Sequence, residues 1–391
     1  MMSEDNAAVL PVFGAEDFRR RRQRLRAQLA VRGVPAVVVT APEDIFYLTG
    51  WSNQGHFAFT ALLVTTDAAP VLVAREMEAP TAAAQIPDCD FAGYGDRDEP
   101  ALVLARTIRR SFSAVAAKVG YQPRSMTFPI AIWQQTRYQL DPTVWIDCSD
   151  MVARLRAVHS QREIACIRAA AKLSDQGMQA AVAALTDGVS EAVVAATIQH
   201  TITTAGSDYP GFAPLVRPIS HADQEHVAWS TRRLEATDSA LLEMSAAVAR
   251  YHAPLTRTVP VTHRAGGDPA SEIAWAGQCA IRANVRPGRT CEDVYWAWRS
   301  SVDSDLGVAN ERHHCGYLIG IGFPPSWVGG NHVSGLRPGN QTVLRAGMAI
   351  YAQSWVIRQA VGDHVVCDTL LVTDEGCEPL TTTPPAPRDR E

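Results

Sequence analysis

The sequence predicts an α/β (α+β) protein of two domains, the first over residues 1–150 and the second over residues 151–391. Three observations carry this. Strand-like and helical segments alternate through the first part, as in an α/β domain. From "SDMVARLRAV" onward the chain turns Ala-rich with helical periodicity. Helices, strands, helices and strands then follow in that order, as two similar αβ halves would. With 391 residues, 47% of them hydrophobic and 20% charged, the chain can bury a sizeable core.

In order along the chain, residues 15–33 read as an amphipathic helix, with Phe18, Leu25 and Leu29 recurring at helical spacing. The "RRRRQRLR" run within it reads as that helix's solvated face rather than a nucleic-acid patch. "PAVVVTAPEDIFYLTG" gives a buried apolar run, a turn and a short element ending at Gly50. "TALLVTTDAAPVLVAR" reads as two strands, "DEPALVLARTIRRSF" as a helix, and "AKVGYQP" and "TVWIDCSD" as further strands. Past residue 150 the Ala-rich helical region runs toward Gly188, and "SEAVVAATIQHTITTAG" restarts a helix behind a Ser cap. Strands are expected at 239–247 and 255–262, then helices at "PASEIAWAGQCAIRANVRPG" and "TCEDVYWAWRSSVDS". "GMAIYAQSWVI" and "HVVCDTLLVTDEG" close the set as strands. The Pro- and charge-rich tail "LTTTPPAPRDRE" is expected to fray.

Composition excludes several classes. A net charge of −5 gives no basic excess for nucleic acid or an anionic membrane. No apolar run is long enough to span a bilayer. The N-terminus lacks a basic start followed by an apolar stretch, so no secretory signal is expected. Eight cysteines without a C-x-x-C pair argue against a zinc ribbon and fit reduced thiols, so a cytoplasmic protein is expected.

The chemistry concentrates in "ALLEMSAAVARYHAPLTRTVPV", residues 240–261. It reads as strand, turn and strand, with one acid among apolar neighbours, Glu243, and one histidine, His252. A desolvated acid there has a raised pKa, or holds a cation if ionised. It could also attack an electrophilic carbon. Cys367 lies in an apolar strand-like run, where an inert buried thiol is the expectation.

Taken together, "EDIFYLTGW", "PVLVAREME", "MVARLRAVHSQREIACIRAAAKLSDQG" and "CDTLLVTDEGCEPLT" resemble the creatinase/aminopeptidase P family, the pita-bread fold. "GSDYPGFAPL", "RYHAPLTRTV" and "CGYLIGIGFPPSW" resemble its ectoine hydrolase branch. The resemblance implies a hydrolase of a non-peptide C–N bond in a small polar amidine or cyclic amide. Metallopeptidases of this fold hold two metal ions with two aspartates, a histidine and two glutamates. Those places fall on Glu243, Pro254, Tyr317, Gln353 and Cys367, so neither a metal nor another cofactor is expected.

The resemblance also places the family's catalytic histidine on His226, which can take a proton from water and deliver it to a leaving nitrogen. His226, Glu243 and His252 are the expected catalytic residues, with Glu243 as substrate anchor or nucleophile. Of the carboxylate positions that bind guanidinium in creatinase, one falls on Thr256 and the other on Gln353, which argues against creatine as substrate. Ser326 and "VGGNH" depart from the acidic segment of the ectoine hydrolase branch. Tyr317, Gln353 and Trp327 are expected to position substrate. In this fold a neighbouring subunit often closes the site, which implies a homodimer with Trp51, Gln54 and His56 as contacts from the neighbour. A lyase of the same fold acting on a small zwitterion, or a non-catalytic binding protein, are the alternatives.

Overall fold

The computed structural model describes residues 13–111, 118–262, 268–307, 309, 312–329 and 333–385. The chain divides into two compact units, one formed by Pro11–Arg156 with Gly329–His332, the other by Ala157–Val328 and Val333–Glu391. No described helix is long and apolar enough to cross a membrane.

The first unit is built from α1 (Ala15–Arg32), β1 (Ala36–Val39), α2 (Pro42–Thr49), β2 (Ala61–Thr65), β3 (Val71–Arg75), α3 (Ala79–Gln85), β4 (Asp90–Tyr94), α4 (Pro100–Ser111), β5 (Lys118–Tyr121), α5 (Ile130–Gln139), β6 (Val144–Asp147) and α6 (Met151–Arg156). Its strands form one mixed sheet in the order β4-β3-β2-β1-β5-β6. The continuous apolar runs Ala36–Val39 and Ala61–Thr65 are buried throughout, as central strands should be. The arginine run of α1 departs from expectation. Arg21 and Arg22 are buried, donating to the carbonyl oxygens of Tyr47 at 3.1 Å and Leu48 at 3.0 Å, both at the C-terminal end of α2. Guanidinium groups suit those orphaned carbonyls, so part of this run belongs to the core rather than to solvent.

The second unit contains α7 (Gln161–Ala184), α8 (Glu191–Thr204), β7 (Leu215–Pro218), β8 (Ser239–Val248), β9 (Tyr251–Pro260), α9 (Pro269–Asn284), α10 (Cys291–Leu306), β10 (Gly316–Leu318), β11 (Ala349–Gln359), β12 (Gly362–Val372) and β13 (Cys377–Pro379). Ser160 caps α7 and Ser190 caps α8, each accepting from the backbone of the third residue on. The helical stretch breaks between α6 and α7, and α7 stops at Ala184, before Gly188. One antiparallel sheet runs β10-β11-β12-β9-β8-β7, with β13 beside β12.

Strand alternation divides the work of this sheet. Leu242 and Met244 of β8 pack with Met178 and Ile198 of α7 and α8 in one core, while Ile350, Val366 and Leu370 pack with Ile281 and Trp298 of α9 and α10 in another. Two helical glycines permit the close approach. A Cβ at Gly177 of α7 would collide with Met244, and one at Gly277 of α9 with the Ser354 hydroxyl. Between the two cores Asp368 is fully buried, accepting from Arg257 at 2.7 Å, Arg282 at 2.6 Å and Gln278 at 3.2 Å. The opposite parity of each strand carries the polar residues considered next.

Candidate active site

Register brings the site together. Glu243 pairs with Thr256 across β8 and β9, Thr256 with Cys367 across β9 and β12, and Cys367 with Gln353 across β12 and β11. Four neighbouring strands thus line up an acid, a hydroxyl, a thiol and an amide on the face away from the helices. Tyr351, two residues before Gln353, shares that face. Its hydroxyl donates to Glu243 Oε1 at 2.9 Å, and the Thr256 hydroxyl is bonded to the same phenol oxygen.

A cavity of about 370 Å³ opens over this row. Glu243, Thr256, Gln353, Cys367 and Arg217 form its polar floor. Phe212, Tyr317, Trp327 and Trp355 supply aromatic walls, and Trp327 Nε1 donates to the Tyr317 hydroxyl at 3.0 Å. His226, His313 and His314 also line it. His226 is exposed, stands 6.1 Å from the Phe212 ring centroid, and holds a left-handed backbone conformation with φ of 61°. Such a conformation outside glycine is uncommon, and uncommon backbone geometry concentrates at functional sites.

Burial sets the protonation states. It pushes the Glu243 carboxyl up; the Tyr351 hydrogen bond and the nearby charges of Arg217 and His226 oppose this without cancelling it. Burial likewise raises Tyr317, Tyr351 and Cys367, so all three keep their protons at neutral pH. His314, packed 5.3 Å from Trp355, is pushed down to about 4 by burial and by the positive charges of its neighbours His313 and Arg312. Within the row, one buried carboxyl therefore faces neutral hydroxyl and thiol groups, with the charged Arg217 beside it in the cavity lining.

Residues 165–374 match the model of metallopeptidase family M24, and residues 21–158 that of the creatinase/prolidase N-terminal domain. The chain belongs to family M24. An uncharacterised hydrolase/peptidase of Sinorhizobium fredii is 29% identical to this M24 protein over 392 residues, covering 95% of the chain and 97% of the relative. The ectoine hydrolase of Halomonas elongata is 25% identical over 397 residues, with the same coverage. Among solved structures, the prolidase of Thermococcus sibiricus superposes with a TM-score of 0.82 at 21% identity, covering 96% of this chain and 99% of that one. The dipeptidase PepE of Mycobacterium ulcerans gives 0.80 at 22% identity, covering 96% and 98%. Those two show the shared two-domain pita-bread fold.

The family name raises the question of a metal, and the donors of this M24 protein do not fit one. A hard dinuclear centre needs several anionic oxygens. Here Glu243 is the one carboxylate of the row, and a phenol proton already rests on its Oε1. Thr256, Tyr351, Gln353 and Cys367 are neutral, and Pro254 has no donor side chain while its carbonyl accepts from Thr369 at 2.8 Å. No three His, Cys, Asp or Glu gather into a metal-ligand group among the described residues.

The structure brings together His226, Glu243, Tyr317, Gln353 and Trp327 around one cavity. His252 is placed elsewhere, which corrects its expected catalytic role. It is completely buried, its Nε2 accepts from the Gly211 amide at 2.8 Å, and its Nδ1 donates to the Arg250 carbonyl at 2.9 Å. Both nitrogens are used, and burial pushes its pKa down to about 3, so it neither reaches substrate nor titrates near neutrality. Glu243 pairs with neither Arg250 nor Arg257; both arginines bond backbone carbonyls, and Arg257 pairs with Asp368.

In the first unit Trp51 is buried, so it has no free face to offer a neighbouring subunit, a second correction. Gln54 is exposed and His56 half-buried, with its Nδ1 3.2 Å from the Asn53 carbonyl oxygen. Sequence reasoning missed Tyr351, Arg217, Phe212 and His314. For Tyr351 the available signal was parity: in "YAQ" it shares a strand face with Gln353.

Proposed function

We propose that this protein is a metal-independent hydrolase of a non-peptide C–N bond in a small polar amidine or cyclic amide. The observation that carries the reading is the row Glu243–Tyr351–Thr256–Cys367–Gln353, which replaces anionic metal ligands by one carboxyl among neutral hydrogen-bonding groups. The relationship to the Halomonas elongata ectoine hydrolase over nearly the whole chain supports it.

In this reading a substrate C–N unit lies between the floor and His226. Glu243 holds its N–H group or cationic amidinium through the oxygen not engaged by Tyr351. The proton that a raised pKa favours on Glu243 leaves when a cation binds beside it. His226 removes a proton from water as the water oxygen bonds to the substrate carbon. It returns that proton to the departing nitrogen as the C–N bond breaks, leaving a carbonyl and an amine. Tyr317 and Trp327 form the wall against which the substrate lies. The working unit is proposed as a cytoplasmic homodimer.

The test is turnover of cyclic amidines and amides by protein treated with a chelator. The proposal expects product release unchanged by chelation and a Glu243→Gln variant at least about 100-fold slower, as for loss of a group acting in the transition state. Turnover of Xaa-Pro dipeptides that requires an added divalent metal, or full activity in the Glu243→Gln variant, would overturn it.

A further inference from the structure

His226 is exposed, and its ring makes no hydrogen bond among the described residues. Its packing contact is the edge of the Phe212 ring, 6.1 Å away between centroids. The place of the imidazole is therefore set by the backbone at residues 225–227. That backbone is unusual, because His226 has a φ of 61°. A left-handed residue other than glycine persists only where its surroundings over-determine it.

Two bonds bracket the residue. Before it, Glu225 Oε1 accepts from Arg312 Nη2 at 2.7 Å; after it, the Val227 carbonyl accepts from Arg217 Nη1 at 2.7 Å. Two residues before Glu225, Asp223 pairs with Arg358. The three arginines come from different places: Arg217 from β7, Arg358 from β11 and Arg312 from the segment leading into β10. Arg312 is itself held. Its guanidinium lies 4.2 Å from the centre of the Trp355 ring in the cavity wall, and its carbonyl accepts from the Tyr295 hydroxyl at 2.8 Å. Burial pushes the Glu225 carboxyl up, but Arg312 outweighs this and holds it below its ordinary value, so the pair is ionised at neutral pH. An ion pair near the surface usually contributes little, because two long side chains must be ordered to form it. Here the stacking on Trp355 has already ordered the arginine, so the bond orders the loop that carries His226.

We propose that Arg312 is a positioning residue: through Glu225, and together with Arg217 on the Val227 carbonyl, it holds the backbone of His226 in the conformation that sets the imidazole over the cavity. This rests on the reading of His226 as the base and adds how that base is aimed. The aim is taken from the cavity wall, passing from Trp355 to Arg312 to Glu225. The role is geometric. Glu225 supplies an oxygen that accepts from Arg312, and its charge is not what His226 needs.

The experiment is NMR of the full chain labelled in its histidine and phenylalanine rings, with His226→Ala assigning the His226 signals. A nuclear Overhauser contact between the His226 and Phe212 rings is expected in wild type. Arg312→Ala and Glu225→Ala are each expected to abolish it. Glu225→Gln, whose amide oxygen still accepts from Arg312, is expected to keep it. The ring signals of His252, which is bonded to the Gly211 amide beside Phe212, should stay unmoved throughout and show that His226 is the group that shifts. On a substrate that is turned over, Arg312→Ala should lower kcat at least about 10-fold and leave KM within about 3-fold, as for a catalytic group misplaced by about 1 Å. The Arg312→Ala/Glu225→Ala double variant should be no slower than Arg312→Ala, because both changes break one bond. Thermal melts check folding, and if Arg312→Ala does not fold, Glu225→Ala decides. The proposal is overturned if wild type lacks the ring contact, if the contact survives in the alanine variants, or if Glu225→Gln loses it as Glu225→Ala does. The two claims fail separately. Loss of the contact in the variants with turnover intact in His226→Ala sinks the base and leaves the positioning bond standing. A contact that survives while His226→Ala abolishes turnover does the reverse.

Discussion

Replacing Tyr351 by Phe removes a single oxygen from the centre of the site. That hydroxyl donates to Glu243 Oε1 at 2.9 Å and is bonded to the Thr256 hydroxyl, and the residue is fully buried. The change strips two hydrogen bonds from the Glu243–Tyr351–Thr256 cluster. At about 1–1.5 kcal/mol for each bond, the second unit should lose about 2–3 kcal/mol. For a domain of this size that lowers the melting temperature by roughly 4–12 °C. A functional shift should accompany the loss. The Tyr351 bond is the largest influence holding the Glu243 pKa down against burial, so its removal moves that pKa further up. Binding of a cationic amidine should then set in at higher pH, seen as a KM that rises most on the acid side while kcat changes less. Guanidinium denaturation and the pH dependence of KM measure the two effects. A Tyr351→Phe protein within about 0.5 kcal/mol of wild type and with an unmoved pH profile would refute the bonded row.

Three further outcomes are expected. His226→Ala should lower kcat by about 100- to 10,000-fold, the range for a lost general base. Since His226 is exposed, stability should stay within about 0.5 kcal/mol, and a parallel melt separates the two effects. His252 has a folded pKa of about 3 against an ordinary 6.5, so the native state resists its protonation while the unfolded chain accepts it. Its contribution is therefore complete above the ordinary value and is lost as pH falls toward 3, by up to about 1.4 kcal/mol per pH unit. Urea midpoints between about pH 4 and 7 should show this slope in wild type and a shallower one in His252→Gln. Asp368→Asn should cost about 3–5 kcal/mol by leaving Arg257 and Arg282 without their buried carboxylate, measured by denaturant titration.

Much of the architecture was legible because it rests on period and punctuation. Ser160 and Ser190 cap where the pattern of apolar residues begins, and the 240–261 hairpin forms with Glu243 on the face that alternation assigns it. The site was legible only in part. The resemblance carried Tyr317, Gln353 and Cys367 to the cavity, because strands of fixed register keep equivalent positions together. Tyr351 and Arg217 were not found, since parity tells which face a side chain takes and not how far it reaches across neighbouring strands. His252 was misjudged for a related reason. The hairpin register pairs it with Ala247, four residues along from Glu243, and the Gly211 amide and the Arg250 carbonyl that occupy its ring come from turns whose path a single sequence does not specify. Arg21 and Arg22 of the arginine run look alike in sequence to their exposed neighbours, and only the end of α2 distinguishes them.

Gly177 and Gly277 occupy matching places. Each lets a long helix touch the strand residue that follows a floor residue, Met244 after Glu243 and Ser354 after Gln353. The cavity floor thus runs across a sheet backed by two helical layers, with Glu243 footed by one and Gln353 by the other. The two halves of the floor differ in charge, an acid on one and an amide on the other, while resting on the same kind of glycine contact. A substitution at Glu243 or at Gln353 can therefore alter the charge of the floor without disturbing the helix contact made by the next residue of the same strand.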